Sequence, residues 1–531
     1  MKKIILGLAT LAFIGNTSFA QVDKSDWKDG VPEGCTSITV GKLASADGSV
    51  ITSHTDDSHR TRSWMDFQTA KKHKKGSTTT MYKRVACDSL AMPTYAHNPI
   101  GEIPQVEETY AFLNTAYPCI NEKQLAMGES TFGGREELQS DNGLIDCQRL
   151  CQLMLERCTT ARQAITMAGE LTKKYGWNDS GECLTIADPK EVWHFEIAGP
   201  GKGKTGAVWV AQRVPDDHIS VNVNASTIKE INLDDADHFM ASENIFDLAI
   251  ENGWYNPEKE IFRFCYAYAP DSRNSLAARR REWRVFDLLA PSLKLNPNDK
   301  DYPFSVKPDE KVTLEKLVSI FKDYYEGTPF NMIKDLKVED ENGKMIISPL
   351  ANPNLPYDAN KLFRINGGWR ALGERTIARW YTMYATIIQC RDWLPDEIGG
   401  LVWLAMDNVM TSVYIPVYCG ANDLALPYKT PGRPNGFTRE SAWWAFNRQS
   451  TLASQRWGDM RHDVDALWMP IQTELFNNQA AFESEALKLH NGKPNKLTEF
   501  LTKYTVEQGD RVVNEAWKFG DFLWTKYDEK F

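Results

Sequence analysis

The stretch CTSITVGKLASADGSVITSHTDDS, residues 35–58, decides the fold that we expect for this chain. Two runs rich in β-branched residues, 35–42 and 49–57, flank the turn signal Ala-Asp-Gly at 46–48, and this pattern predicts a β-hairpin. Antiparallel pairing returns the end of the second strand to the start of the first. We therefore expect Cys35 to lie beside the polar run that closes the second strand.

The residues before Cys35 predict an exported protein. Two lysines, an apolar run at 4–14 and small residues at 18–20 are typical of a secretory signal peptide, residues 1–20. Residues 21–34 are polar and without periodicity, and they predict a pro-segment. No later segment approaches about 20 uninterrupted apolar residues, so we expect no membrane span and a periplasmic or extracellular location.

The composition excludes several classes of protein. The chain has 531 residues, of which 42% are hydrophobic, and this is enough for a large core. A formal net charge of −10 gives no electrostatic footprint for nucleic acid. Ten cysteines are too few for a disulfide scaffold in a chain of this length. The oligomeric state stays open, and a homo-oligomer is compatible with the sequence.

The rest of the chain mixes helix and strand signals. Helical periodicity runs from about residue 144 to 174, and RNSLAARRREWRVFDLLA at 273–290 predicts a basic amphipathic helix. Residues 292–360, rich in Pro, Asn and Asp, predict an insertion or lid, and residues from about 437 to 531 predict a helical C-terminal part. Strand-like runs are expected at 183–187, 191–197, 206–213, 218–225 and within 376–419. This order favours an α+β class over a doubly wound sheet.

The run HTDDSH at 54–59 has the residue types of a metal site. In a strand, however, alternate residues point to opposite faces of the sheet. The first, third and fifth residues of the run would share one face, and the other three would share the opposite face. Because a divided set makes a poor tetrahedral cage, we expect no metal here.

Cys35 is the candidate nucleophile. If cleavage after Gly34 freed it, one residue would carry a thiol and an α-amino group, whose usual pKa of about 7.7–8.0 suits a base at neutral pH. The hairpin places Asp57 to orient that amine, and an Asn side chain or backbone N–H groups would stabilise an oxyanion. From the residues alone, a buried structural cysteine is the simpler interpretation, and RRRE at 279–282 is equally compatible with a solvated basic face.

A resemblance to a known family changes this interpretation. The run from Gly34 resembles the start of the cysteine dipeptidases of the N-terminal-nucleophile superfamily, the dipeptidase A and secernin relatives, which are distantly related to penicillin V acylases and bile-salt hydrolases. Further similar segments follow in order: NEKQLAMGEST (121–131), VWVAQRVPDDHISVNVNASTI (208–228), ARRREWRVFDLLAPS (278–292), IIQCRDWLPDEIGGLVWLAMDN (387–408), TSVYIPVYCG (411–420) and FTRESAWWAFNRQS (437–450). The resemblance implies a four-layer αββα sandwich over residues 35–531, with a helical C-terminal extension, and hydrolysis of dipeptides without a cofactor.

The resemblance also implies roles for particular residues. Cys35 is the nucleophile and its α-amine the base, and Asp57 holds the amine. Asn224 matches the oxyanion-hole Asn, although Asn222 lies two residues away on the same face. Arg281 is the best match for the arginine near the nucleophile, with Arg280 and Arg284 as alternatives.

One position departs from the family pattern. Where the family usually has Arg, three residues before the Asp, this chain has His54, which we assign to substrate binding. An imidazole titrates near neutral pH whereas a guanidinium does not, so the stabilisation of the thiolate is expected to differ.

We expect an exported dipeptidase that acts on dipeptides or short peptides with free N-termini. The first alternative is an N-acyl amide hydrolase of the penicillin V acylase or bile-salt hydrolase type. The second is a non-catalytic envelope binding protein that keeps the fold. The segment at 292–360 and the helical C-terminal part favour the dipeptidase, because the acylases are shorter.

Overall fold

The computed structural model describes residues 34–87, 94–353 and 374–530. The expected signal peptide, the pro-segment up to residue 33 and residues 354–360 of the expected insertion lie outside the described residues. The described chain combines antiparallel sheets with helices and has a helical C-terminal region, which confirms the α+β class.

The strands are numbered in chain order. They are β1 (Gly34–Val40), β2 (Val50–Asp57), β3 (Asp66–Gln68), β4 (Lys71–Lys72), β5 (Thr78–Cys87), β6 (Thr94–Pro104), β7 (Glu108–Thr109), β8 (Phe112–Asn114), β9 (Ile120–Asn121), β10 (Ala126–Gly133), β11 (Gly181–Ala187), β12 (Val192–Ala198), β13 (Val208–Arg213), β14 (Ile219–Asn222), β15 (Phe239–Ala241), β16 (Ser305–Val306), β17 (Lys337–Glu339), β18 (Met345–Ile347), β19 (Thr382–Cys390), β20 (Leu401–Met406) and β21 (Ile415–Tyr418).

The α-helices are numbered in the same way. They are α1 (Cys147–Arg157), α2 (Ala161–Tyr175), α3 (Asp247–Glu251), α4 (Phe264–Tyr268), α5 (Pro270–Asn274), α6 (Leu276–Leu289), α7 (Leu314–Phe321), α8 (Asp396–Gly399), α9 (Leu426–Lys429), α10 (Ala442–Gln455), α11 (Trp457–Gly492) and α12 (Leu497–Lys526).

Two large antiparallel sheets carry the site. One has seven strands in the order β16-β14-β1-β2-β19-β20-β21, and the other has eight in the order β15-β13-β12-β11-β10-β9-β8-β3. The expected hairpin is confirmed, because β1 pairs antiparallel with β2 and Cys35 lies opposite Asp56. The strands expected at 183–187, 191–197, 206–213 and 218–225 are also confirmed as β11 to β14, within a few residues at their ends.

The two sheets face each other at the hairpin. β1 and β2 contact β10 and β11 of the second sheet. The approach is close at Gly128 of β10, where a Cβ atom would lie 2.8 Å from Ser37 Oγ of β1 in the other sheet. Hydroxyl groups form hydrogen bonds across this interface, since Thr185 Oγ1 is 2.7 Å from both Ser37 Oγ and Thr52 Oγ1. A glycine at position 128 thus brings the strand that carries Glu129 close to the hairpin.

Helices cover both sheets. α2 contacts β11 and β12, while α10, α11 and α12 contact β20 and β21. The helical periodicity expected over 144–174 is confirmed as two helices, α1 and α2. They are separate because the chain is extended at Thr160, whose side chain caps α2 by accepting the Gln163 N–H at 3.2 Å. The helix expected at 273–290 is confirmed as α6, which begins after Ser275.

The segment expected as an insertion or lid has both integrated and exposed parts. Its β16 pairs with β14 at the edge of the seven-stranded sheet, and α7 buries one face. Every residue of strands β17 and β18 is exposed. None of the described helices is long and apolar enough to cross a membrane.

Candidate active site

Cys35 lies at the start of β1, on the wall of a cavity of about 420 Å³. It is the one cysteine among the described residues that line this cavity. Only 5% of Cys35 is exposed. Asp56, Asp57 and Ser58, from the end of β2, line the same cavity. The structure therefore brings the expected nucleophile and the polar end of the hairpin together.

The Cys35 thiol faces a buried carboxylate. Its Sγ donates to Glu129 Oε2 at 3.1 Å, and His54 Nε2 lies 3.4 Å from the same oxygen. Burial raises the pKa of the Cys35 thiol well above its usual value, and the negative charge of Glu129 raises it further. In the chain that still carries Gly34, the thiol is therefore held protonated.

Glu129 and Glu182 form a buried carboxyl pair bridged by Thr131. Thr131 Oγ1 is 2.9 Å from Glu129 Oε1 and 3.0 Å from Glu182 Oε1. Burial raises the pKa of Glu182, and the charge of Glu129 raises it further. Although burial opposes it, contact with His54 lowers the pKa of Glu129. One hydroxyl has one proton to donate, so a protonated Glu182 supplies the second hydrogen bond of this bridge.

Asn224 holds the backbone of the nucleophile. Its Oδ1 accepts from the Cys35 N–H at 3.0 Å, and its Nδ2 donates to the Thr131 carbonyl at 2.8 Å. Asn224 has a φ of 62°, a left-handed conformation that asparagine tolerates better than most residues. Asn222, the alternative, donates to the Ala225 carbonyl and does not line the cavity. The structure thus places Asn224, and not Asn222, at Cys35.

Arg281 reaches the same backbone from α6. Its Nη1 donates to the Cys35 carbonyl at 2.7 Å, and its Nη2 donates to Asn224 Oδ1 at 3.0 Å. Burial, together with the nearby charge of Arg375, lowers the pKa of Arg281 to about 9. A cation in this position fixes the carbonyl of the nucleophile and the amide oxygen of Asn224 together.

The other arginines of the RRRE helix have different partners. Arg280 donates to Glu374 at 3.2 Å, and Arg284 donates to Asp323 at 2.7 Å. Neither lines the Cys35 cavity. The alternative of a solvated basic face is wrong for these two residues and for Arg281, because all three are buried.

Asp57 lies opposite Gly34 in the β1–β2 ladder. Its carboxylate accepts from Thr382 Oγ1 at 2.6 Å and forms a buried ion pair with Arg375. Gly34 is closely surrounded, since a Cβ atom there would lie 2.7 Å from Asn224 Oδ1 and 2.9 Å from Arg375 Nη2. Asp57, Asn224 and Arg375 therefore surround the residue that precedes the nucleophile.

Sequence reasoning missed two charged residues of this site. Glu129 belongs to the segment 121–131, which enters the sequence analysis only as a block of resemblance, and the available signal is that Glu129 is the one charged residue of β10. Arg375 lies just after a part of the chain that the structure does not describe, and no local pattern marks it.

Within the described part of the chain, two groups of side chains have the geometry to hold a metal ion. One ligand atom each from Cys35, His54 and Glu129 lie within 4.8 Å of one another, and the same holds for Glu129, Cys147 and Glu182. The first group includes the candidate nucleophile, so a metal there would block the thiol. That this protein uses no metal stays a prediction.

Comparison with known proteins places the chain in a family. Residues 34–469 match the model of Peptidase family C69. The chain is 26% identical over 473 residues to a "Probable dipeptidase" of Latilactobacillus sakei, with 85% of this chain and 88% of the relative covered. It is 25% identical over 496 residues to a "Probable dipeptidase B" of Lactococcus lactis subsp. lactis (strain IL1403), with 90% and 95% covered. It is 22% identical over 414 residues to "Dipeptidase A" of Lactobacillus helveticus, with 76% and 78% covered. Because the family model spans most of the chain, this protein is a member of Peptidase family C69.

Proposed function

We propose that this protein is a cysteine dipeptidase whose active form begins at Cys35. The observation that carries the proposal is the position of Cys35 as the one cysteine among the described lining residues of the cavity, with Asn224 and Arg281 bonded to its backbone. The match to Peptidase family C69 begins at residue 34, one residue before it. The relatives named as dipeptidases favour dipeptides over N-acyl amides as substrates.

Release of residues 1–34 gives Cys35 a base that can accept the proton of its own thiol. In the uncleaved chain the nitrogen of Cys35 is an amide, which cannot take up a proton at neutral pH, and the thiol is held protonated beside Glu129. Cleavage converts that nitrogen into an α-amine, a base with a usual pKa of about 7.7–8.0. The amine then takes the thiol proton, and the developing thiolate is the nucleophile.

The proposed hydrolysis of a dipeptide takes two steps. The thiolate of Cys35 attacks the carbonyl carbon of the dipeptide, and the protonated amine gives its proton to the leaving amino group as the peptide bond breaks. The product is a thioester on Cys35. Water then attacks the thioester carbon while the amine accepts a proton from it, and the thiol leaves with that proton restored.

The residues around Cys35 have complementary roles in this proposal. Asp57, held by Arg375 and Thr382, orients the new amine, while Asn224 Oδ1 keeps the hydrogen bond that it already accepts from the same nitrogen. Oxyanion stabilisation requires Asn224 Nδ2 to exchange or share its present acceptor, the Thr131 carbonyl. Arg281 positions the nucleophile through its carbonyl.

His54 is the residue of this site that departs from the family pattern. It lies close enough to Glu129 for its protonation to offset the carboxylate charge next to the thiol. We assign it to tuning of the thiol, while direct contact with substrate stays a prediction, because His54 is buried and is not among the residues that line the Cys35 cavity.

We further propose that cleavage at Gly34 is autocatalytic. The Cys35 thiol is the neighbour of the Gly34 carbonyl, so its attack on that carbon would form a thioester and release the Cys35 nitrogen as an amine. Water would then hydrolyse the thioester. The tight fit of Gly34 between Asn224 and Arg375 supports a fixed orientation of this bond.

We also propose a specific layer architecture for the fold and an exported location for the protein. Contacts of α2 with one sheet, of the C-terminal helices with the other, and of the two sheets with each other support a four-layer αββα sandwich of the N-terminal-nucleophile type. The lysines, apolar run and small residues of positions 1–20 support export to the periplasm or beyond.

Substitution of the nucleophile tests the function. Cys35→Ala should abolish hydrolysis of a panel of dipeptides and leave the melting temperature nearly unchanged, because the thiol is small and the core is large. Cys183→Ala is the matched control, since Cys183 is also a buried free thiol but does not line the cavity. Full dipeptidase activity of Cys35→Ala, or equal losses in both variants, would contradict the proposal.

A further inference from the structure

A second cavity, of about 370 Å³, is lined by arginines. Arg60, Arg62, Arg84 and Arg149 border it, together with neutral polar side chains such as Gln152, and no Asp or Glu occurs among the described residues of its lining. Guanidinium groups in a partly enclosed cavity are suited to carboxylate or phosphate groups.

This arginine-lined cavity adjoins the cavity of Cys35. The two share Thr61, Arg84 and Tyr95 as a common wall. The Cys35 cavity has a more acidic lining, with four carboxyl groups: Asp56, Asp57, Asp179 and Glu182. Of these, Glu182 is held protonated, while Asp57 and Asp179 are ion-paired with arginines. The nucleophile therefore lies in a cleft with an acidic and a basic side.

We propose that the arginine-lined cavity binds the carboxylate of the substrate's C-terminal residue, while the α-ammonium group lies on the acidic side. The inference rests on the proposed dipeptidase function and names the groups that would select its substrate. An extended dipeptide spans about 7 Å, so its two opposite charges fit two adjoining subsites and not two distant ones. An N-acyl amide has no ammonium group, and an amidated peptide has no carboxylate.

Arg149 forms no ion pair among the described residues, in contrast to two other arginines of this cavity. Arg84 is ion-paired with Asp179 at 2.7 Å, and Arg62 is paired with Asp66. Arg149, in contrast, donates to Gln152 at 2.6 Å and lies over the ring of Tyr82, and both of these partners are neutral. Burial lowers the pKa of Arg149, although Asp146 and Glu156 lie near enough to oppose this. Neither carboxylate forms an ion pair with it among the described residues, so its guanidinium can still bind an anion.

The electrostatic field at the cavity agrees with this assignment. His97 lines the cavity, and burial together with the charges of Arg149, Arg84 and Arg62 lowers its pKa to about 4. A group that lies within reach of three cations resists a positive charge of its own, and the same field attracts an anion.

Two probes differing only at the C-terminus test the inference: Ala-Ala and Ala-Ala amide. For the wild type, kcat/KM should be at least tenfold higher for the free acid. Arg149→Gln should lower kcat/KM for Ala-Ala at least tenfold, mainly through KM, and leave Ala-Ala amide within twofold. Arg157→Gln is the matched control, because Arg157 is on the same helix, also has neutral partners and lines neither cavity. It should behave as the wild type.

A binding measurement keeps this result separate from the proposed function. Titration calorimetry on Cys35→Ala, produced without residues 1–34 because this variant is not expected to cleave itself, should show tighter binding of Ala-Ala than of its amide, and Arg149→Gln in that background should remove the difference. Equal affinities for the two probes, or an equal loss on both in Arg149→Gln, would overturn the carboxylate subsite. Absence of hydrolysis by the wild type, with preferential binding of the free acid retained, would overturn the enzyme function alone.

Discussion

Removing the charge of Glu129 should make the Cys35 thiol more reactive. Glu129 Oε2 is 3.1 Å from Sγ, and its negative charge disfavours the thiolate. Two unit charges at this distance, in an effective dielectric of about 20, repel by about 5 kcal/mol. Because His54 lies 3.4 Å from the same oxygen and offsets part of this repulsion when protonated, we expect a smaller effect. A release of only about 1.4 kcal/mol already corresponds to tenfold more thiolate.

The variant Glu129→Gln keeps the shape and an acceptor oxygen, so the charge is the main change. Alkylation of Cys35 by iodoacetamide at pH 7, followed on the peptide that contains Cys35 by mass spectrometry, should be at least tenfold faster than in the wild type. Glu156→Gln is the control, since Glu156 is also buried and makes hydrogen bonds with glutamines away from the cavity. It should leave the rate within twofold.

An unchanged or slower alkylation in Glu129→Gln would refute this reasoning. It would mean that burial alone controls the thiol, or that Glu129 is already neutral in the folded protein. Equal acceleration in Glu129→Gln and Glu156→Gln would instead point to general loosening of the fold, which the melting temperatures of the two variants would reveal.

Three further predictions follow from the surroundings of Cys35. Gly34→Val should block release of residues 1–34, because its Cβ would lie 2.7 Å from Asn224 Oδ1, and intact-mass analysis over time should show the uncleaved chain, whereas normal cleavage would contradict the tight fit. His54→Arg should change the shape of the pH–rate profile for one dipeptide between about pH 5 and 9, because a guanidinium stays charged where an imidazole titrates; superimposable profiles would show that His54 does not influence the site. Asp57→Asn should lower the free energy of unfolding by about 3–5 kcal/mol in addition to impairing activity, because it leaves Arg375 buried without its partner; an unchanged melting temperature would show that this ion pair is dispensable.

The sequence predicts well those elements whose turn, capping or periodicity signals lie within the element itself. The turn at residues 46–48 and the alternation on either side of it predicted the hairpin, and this placed Cys35 opposite Asp56. Helical periodicity before Pro291 predicted α6, the helix that carries Arg281. In each case the signal lies within the element itself, so no knowledge of the rest of the chain is needed.

The parts that sequence did not predict depend on contacts between distant segments. Glu129 is 94 residues from Cys35, and Arg375 is 318 residues from Asp57. The pairing of β19 with β2 and the close approach of the sheets at Gly128 bring these residues together. Neither the strand pairing nor the close approach of the sheets leaves a periodic pattern in the sequence. Each depends on packing between elements and not on the conformational preferences of a single element.

The first residue of the active enzyme tests the central claim most directly. Active protein isolated from its host would be examined by intact-mass and N-terminal analysis, and the same preparation would be assayed on a dipeptide. We predict that the chain begins at Cys35 and that the uncleaved form is inactive. A fully active preparation that begins at Gln21, the residue after the expected signal peptide, would contradict the mechanism, because the α-amine of Cys35 would then not exist.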